Sequence, residues 1–363
     1  PPSIAPPNME TSRIERQEEI TPFEAVESLL RLETRVYNDP EDPTSRYFKI
    51  QLLPNGIDKL PVLPRDIVYL VDCSASMTER KLRLATFGIN LSLENLSERD
   101  HVNVIAFRDE AEVLSEKGLK ANVFGKAKVR TFLSSLHSHG QTDVFASLNA
   151  LQSLPKDPER PMLSMLVTDG LPTTGVVNSD EIIDSFSRIN QGRISMFSMG
   201  GGGRVNRLLL DFLSFRNRGS SLVTPRAEDL PGMIIQASEE IRQPVLMNLH
   251  YTFTGSQESE VYPESLSHLY LDRPLILIGR VPREEKRIAF QIIGESANGN
   301  HDIVYTIDLD EVPEGSASLR QEWAWQALLD RLSKSIVNPD SIVRNEMEAL
   351  IENFDLVVPA AYR

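Results

Sequence analysis

From residue 65 onward the apolar positions fall into two alternating rhythms. Short unbroken apolar runs, DIVYLV, HVNVIAF, MLSMLV and RISMFSMG, each stop at polar residues or glycine. Between them lie longer segments whose apolar residues recur every three or four positions: TERKLRLATFGINLSLENL, NVFGKAKVRTFLSSL, TDVFASLNALQSL, SDEIIDSFSRI, NRLLLDFLSF and DLPGMIIQASEEI. Continuous apolar strands are buried on both faces, and the amphipathic helices between them supply the cover. The pattern predicts an α/β domain over 66–243, with a mainly parallel sheet, helices on both faces and a short edge strand at AEVL.

The rhythm changes after Pro244. VLMNLHYTFTG, SHLYLDR, LILIGRV, KRIAFQIIGES and DIVYTIDL read as strands separated by turns, with little helix between them. That is the pattern of an antiparallel sandwich. RYFKIQLLP, ahead of the α/β segment, also alternates like a strand and is expected to join this second sheet. The α/β domain is then inserted into a β-rich, sandwich-like domain. Two helices, SLRQEWAWQALLDRLSKSI and PDSIVRNEMEALIENF, complete that domain over 244–363. Upstream, TPFEAVESLLRLETRV has helical apolar spacing behind Thr21 as a cap. Residues 21–64 therefore read as a helix and a strand belonging to the second domain. Residues 1–20 are proline-rich without an apolar period and read as a disordered linker.

Composition narrows the class of function. With 363 residues, 40% hydrophobic and 25% charged, the chain is long and apolar enough for a sizeable core. Its formal charge of −14 argues against nucleic acid or an anionic membrane as the main partner, since both need a basic face. Cys73 is the single cysteine, so no internal disulfide forms, which fits the cytosol and also a bacterial envelope. No stretch reaches the roughly 20 apolar residues of a membrane span. The chain opens on Pro1 rather than Met, which raises the expectation of a signal peptide or membrane anchor upstream.

Candidate chemistry gathers where predicted strands end, the edge at which open α/β sheets bind ligands. Asp72, Ser74 and Ser76 follow DIVYLV. Thr142 lies in the loop HGQTD, and Asp169 follows MLSMLV in VTDG. Two carboxylates and three hydroxyls, without thiolate or imidazole, make a hard-oxygen set suited to Mg²⁺, Mn²⁺ or Ca²⁺. The plainer alternative is structural. Ser74 and Ser76 would cap the next helix, Thr142 and Asp143 theirs, and Asp169-Gly170 would be an ordinary turn.

Other features read as structural. His137 and His139 in HSHGQ are taken as exposed imidazoles at a helix end rather than zinc ligands. MGGGGR lacks the GK[ST] ending of a phosphate loop and is taken as a strand-to-helix turn. Cys73 has no base tied to it and is taken as an inert thiol. Trp323 and Trp325 sit two apart on a helix and face different sides, one toward the core and the other toward a domain contact or a surface.

The set DxSxS, loop Thr and TDG resembles the metal-ion-dependent adhesion site of the von Willebrand factor type A fold, a Rossmann-like domain. The resemblance implies that Asp72, Ser74, Ser76, Thr142 and Asp169 hold one divalent cation, some of them through water, with Mg²⁺ first and Mn²⁺ or Ca²⁺ as alternatives. Cys73 and Ala75 fall in the motif's variable positions and remove no ligand. RYFKIQLLP with LPRDIVYLVDCSASM, and later RPLILIGR, EWAWQALLDRL and NFDLVVPAAYR, are similar to inter-alpha-trypsin inhibitor heavy chains and their bacterial relatives, across roughly residues 45–363.

The expectation is a non-enzymatic, metal-dependent binding and adhesion module with no small-molecule cofactor. A protein partner's Asp or Glu would complete the coordination, and Met77, Gln141, Asp143 and Leu171 would line the rim. An assembly subunit with a structural ion is the alternative. A metal-dependent hydrolase ranks below both, because the type A arrangement usually lacks a general base. The resemblance also implies an extracytoplasmic place in a bacterial envelope or periplasm, with the cytoplasm left open.

Overall fold

The structure, a computed structural model, describes residues 29–56, 60–255, 259–338 and 340–362. The linker expected over 1–20 lies outside these residues, as do positions 21–28 of the expected first helix. The remainder of that helix is a strand. β1 (Leu30–Tyr37) pairs antiparallel with β2 (Ser45–Pro54), Tyr37 opposite Tyr47. LRLETRVY alternates as well as it turns, and Leu30 and Val36 are buried in the sandwich core. An edge position beside β2 settled what spacing left ambiguous.

The α/β domain follows: β3 (Asp66–Asp72), α1 (Thr78–Ser92), β4 (His101–Phe107), β5 (Ala111–Val113), β6 (Leu119–Lys120), α2 (Val123–Ser134), α3 (Val144–Ser153), β7 (Met162–Val167), α4 (Ser179–Asn190), β8 (Ile194–Gly201), α5 (Arg207–Arg216), β9 (Ser221–Thr224) and α6 (Leu230–Glu240). The sheet runs β5-β4-β3-β7-β8-β9, with β6 also on β4. Only the short β5 and β6 run antiparallel to their neighbour.

Alternation along β3 feeds two cores. Ile67, Tyr69 and Val71 pack with α1, α2 and α6. Val68 and Leu70 pack with α3, α4 and α5. Helices α1 and α6 meet at Gly88, where a Cβ would lie 2.8 Å from Pro231 Cα, so only glycine permits that approach. The half-buried SLVT of β9 and the two-residue β6 carry too little apolar signal to be read from sequence.

The remaining strands are β10 (Pro244–Thr254), β11 (Glu260–Tyr262), β12 (Leu269–Tyr270), β13 (Leu275–Pro282), β14 (Arg287–Ser296) and β15 (Gly299–Asp308). They form two antiparallel four-stranded sheets, β1-β2-β13-β11 and β12-β10-β14-β15. Phe48, Ile50 and Leu277 from one sheet and Leu246, Phe290 and Ile303 from the other share one core. Because β2 precedes the α/β domain and pairs with β13 after it, that domain is an insertion into the sandwich. Arg65 holds the two crossing points together. It donates from Nη1 to Ile241 O at 2.8 Å and pairs with buried Asp100, while Leu63 N donates to Pro244 O at 2.8 Å.

Two helices, α7 (Ser318–Val337) and α8 (Ser341–Asn353), lie on the sandwich. Trp323 is buried against Tyr47, Tyr262 and Phe354, with ring centroids 5.6, 6.4 and 5.5 Å away. Trp325 is half-buried. Further along α7, Leu329, Leu332 and Ile336 pack against the α/β core, and Arg216 donates to Ser333 O at 3.0 Å. Helix α7 is thus a strut between the two domains.

Candidate metal centre

Asp72 ends β3, Asp169 follows β7, and both are about 1% exposed or less. Chain reversal at the strand ends brings three loops together. Ala75 N donates to Gly140 O at 3.1 Å and His139 N to Cys73 O at 2.9 Å, strapping the HGQTD loop to DCSAS. Thr142 is fixed to the loop after TDG. Its amide donates to Thr173 Oγ1 at 2.9 Å, and its carbonyl accepts from Thr173 N at 2.9 Å.

The side-chain oxygens form a connected chain. Ser74 Oγ lies 3.0 Å from Ser76 Oγ, and Ser76 Oγ donates to Asp169 Oδ1 at 3.1 Å. Asp72 Oδ1 accepts from Ser74 N at 2.8 Å, and Asp72 Oδ2 accepts from the Thr168 hydroxyl. Burial pushes the Asp72 carboxyl up to about 6 against the pull of hydrogen bonds from Ser74 and Thr168, and the charge of Asp169 adds to the rise. Two buried carboxylates at one strand edge favour an incoming cation over further protein packing. Thr142 is buried at the same strand edge, 1% exposed. Four of the five expected residues are therefore linked directly, and Thr142 is held nearby through its backbone.

The capping alternative fails for the serines. Ser74 and Met77 occupy the N-cap positions of the short 3-10 turn Ala75–Met77 and of α1, and neither makes a side-chain cap bond. It succeeds for Asp143, whose carboxylate accepts from Ala146 N at 2.8 Å and caps α3. Among the rim residues Gln141 is exposed and Leu171 half-buried. Met77 is not a rim residue. It is 1% exposed and packs in the core with Leu82 and Ile89, because the 3-10 turn rolls its side chain under α1.

Among the described residues no group of three His, Cys, Asp or Glu side chains converges on one point. The donors here are two carboxylates and hydroxyls, which suit a hard dication and not zinc. His137 and His139 are exposed, and His137 Nδ1 lies 3.8 Å from Glu79. Cys73 is fully buried, and burial followed by the charge of Asp72 pushes its thiol up to about 12, consistent with an inert role. The MGGGGR turn leads into α5, which Asn206 caps by accepting from Leu209 N at 3.2 Å.

Three neighbours of these residues are not singled out by the sequence. Thr168 binds Asp72, Thr173 binds Thr142, and Lys81 Nζ lies 3.4 Å from Asp169 Oδ2. Thr168 and Thr173 flank Asp169 within one short loop, and that proximity was the available signal. Lys81 gave none, because a lysine early in a helix is ordinarily solvent-exposed.

Residues 67–171, which contain all three loops, match the von Willebrand factor type A domain family. The chain carries a von Willebrand factor type A domain. Beyond that domain it is similar to human inter-alpha-trypsin inhibitor heavy chain H3, 22% identical over 294 residues, covering 79% of this chain and 33% of that protein. Human heavy chain H6 is 24% identical over 351 residues, covering 89% of this chain and 26% of that protein. The chain thus spans about a third or less of the length of these curated relatives.

Among solved structures, a von Willebrand factor type A protein from Catenulispora acidiphila superposes with a TM-score of 0.63 at 13% identity, over 92% of this chain and 91% of that one. An ArnB paralog, VWA2, from Sulfolobus acidocaldarius gives 0.58 at 17% identity, over 91% of each. The type A domain and its surrounding sandwich therefore recur together in these two folds. No helix among the described residues is long and apolar enough to cross a membrane.

Proposed function

We propose that this chain is a metal-dependent protein-binding module of the adhesion type. A divalent cation, Mg²⁺ first and Mn²⁺ or Ca²⁺ as alternatives, would be held by Asp72, Ser74, Ser76, Thr142 and Asp169. A partner's Asp or Glu would complete its coordination. The observation that carries this reading is the linked set of residues from Asp72 to Asp169, buried apart from half-buried Ser76 at the sheet's C-terminal edge and not used to cap the helix that follows. When bound, the cation would supply a Lewis-acidic position for a carboxylate. The chain's part is to fix two carboxylates and three hydroxyls on loops strapped to one another. Gln141, exposed beside Thr142, and half-buried Leu171 would meet the partner.

The test is a thermal melt of metal-stripped protein titrated with Mg²⁺, Mn²⁺ and Ca²⁺, with Asp72→Ala alongside. A ligand bound only by the folded state stabilises it by about 2.7 kcal/mol at a hundredfold excess over Kd. The wild type is expected to gain that rise and Asp72→Ala to lose it. No rise in either protein would overturn the metal reading.

One observation favours a second reading, in which the centre is structural. Ser74, Ser76 and Asp169 already stitch two of the loops together, and the Thr142 amide ties the third to Thr173. In that case metal would raise stability, but no carboxylate-bearing partner would bind in a metal-dependent manner.

A further inference from the structure

Lys81 lies within the candidate centre yet cannot be a metal ligand. Its ammonium is 3.4 Å from Asp169 Oδ2 and 3.4 Å from the Ser76 carbonyl oxygen, which are an expected ligand and the backbone of another. Its side chain is only 18% exposed. Other basic residues on the same helix behave differently. Arg80 reaches Glu228 and Arg83 reaches Glu79, in both cases at the surface. An ammonium is strongly hydrated and its stem flexible, so a lysine turned inward needs both a charge to meet and a path to it.

The path is provided by Gly202, just beyond β8. Its φ is +124, a conformation that side-chain-bearing residues rarely adopt, and a Cβ there would stand 3.0 Å from Lys81 Cε and 3.2 Å from Nζ. The lysine stem lies across this bare stretch of backbone. The glycine run, otherwise a plain strand-to-helix turn, therefore also makes room for Lys81.

The charge it meets is unbalanced. The centre holds two buried carboxylates, Asp72 and Asp169, and its one ammonium pairs with Asp169, so with both ionised the centre without a metal keeps one net negative charge. A divalent ion drawn to Asp169 would find that carboxylate already paired with a cation, and two like charges a few ångströms apart repel strongly in a poorly solvated site.

We propose that Lys81 is a tethered cation that holds the centre together without metal and competes with the divalent ion for Asp169. The proposal rests on the metal reading given above. Binding of the ion displaces the ammonium from Asp169 without removing it from the neighbourhood. Two carboxylates, a dication and an ammonium then leave one net positive charge, which a single incoming carboxylate neutralises. Lys81 thereby lowers affinity for metal alone and biases the loaded centre toward an anionic partner group.

The experiment titrates metal-stripped full chain with Mg²⁺ and with Mn²⁺ by calorimetry, in wild type and Lys81→Met, and melts each protein with and without saturating ion. Lys81→Met keeps the length and removes the charge. It is expected to bind the ion at least tenfold more tightly than wild type, to melt lower than wild type without ion, and to match it when saturated. Equal or weaker binding by Lys81→Met, with wild type still binding, overturns the competition and leaves the metal reading standing. Binding by neither protein overturns both. If Lys81→Met does not fold, Lys81→Gln, which keeps a donor for Asp169 without the charge, is held to the same outcomes.

Discussion

Strand β3 has buried charge at both of its ends, and the two ends are built on opposite plans. At its start Arg65 meets Asp100. Both side chains are 4% exposed. Arg65 donates to Ile241 O, Asn95 O and Asp100, and Asp100 accepts in addition from the amides of Arg65 and Ser97. One cation meets one anion, and the leftover donors go to carbonyls. At the far end, about 20 Å along a seven-residue strand, two carboxylates are buried, and Lys81 pairs with Asp169 while Asp72 is met by Thr168 and the Ser74 amide. A closed network holds a junction, whereas surplus negative charge at the other end suits the cation proposed for it.

The sharpest way to break the comparison is at the closed end. Arg65→Met leaves Asp100 buried and unpaired and loosens both crossings between the domains. It should cost about 3–5 kcal/mol in chemical denaturation, in the range for breaking a buried pair by removing one partner. Ion affinity at the far end should be unchanged in whatever fraction remains folded. A large stability loss at Asp72→Ala and a small one at Arg65→Met would reverse the assignment of the two ends.

The junction end also has an unmatched group. His268 is 3% exposed, both ring nitrogens lack a hydrogen-bond partner, and its ring sits 6.5 Å from that of Tyr270. Burial, helped by the charge of Arg218, pushes its pKa down from 6.5 to about 3. The folded state then binds fewer protons than the unfolded state between those values. Its contribution is complete above about pH 6.5 and is lost as pH falls toward 3, with a slope of about 1.4 kcal/mol per pH unit from this group alone. Denaturation curves across that window should flatten in His268→Leu. An unchanged slope in the variant would mean that other groups dominate acid unfolding.

The smallest expected effect separates rim from scaffold at the open end. Asp143→Ala removes the α3 cap and should cost about 1 kcal/mol of stability. Ion affinity should be untouched, since Asp143 lends its carboxylate to Ala146 N and not to the oxygen chain. A change in ion affinity measured by the same calorimetry would bring Asp143 into the centre.

What could be read from the chain followed the strength of each local signal. The strands DIVYLV, HVNVIAF and MLSMLV were legible because a strand covered on both faces must be apolar throughout. The oxygens at their ends were legible because carboxylates and hydroxyls are out of place there unless something needs them. LRLETRVY was not, since alternating apolar residues in a short segment satisfy both periods, and only pairing with β2 decided between them. Met77 was misplaced because spacing cannot show that a 3-10 turn will tuck a residue under its helix. Lys81 was invisible for another reason. Its meaning depends on Gly202, 121 positions away, and no local pattern connects the two.

The insertion has a consequence for how the chain comes to be folded. Arg46 Nη2 bonds Arg283 O across 237 residues, and β2 cannot find β13 until the whole α/β segment has been synthesised. Closing so long a loop of loose chain is entropically costly, although the cost grows only logarithmically with length. A completed α/β domain removes most of it, because its two ends emerge side by side with Leu63 bonded to Pro244. The insert would then act as a clasp. By folding first, it delivers the two halves of the sandwich to each other at nearly zero separation, so a lesion that delays the α/β domain should leave the sandwich strands exposed and prone to pair with another chain.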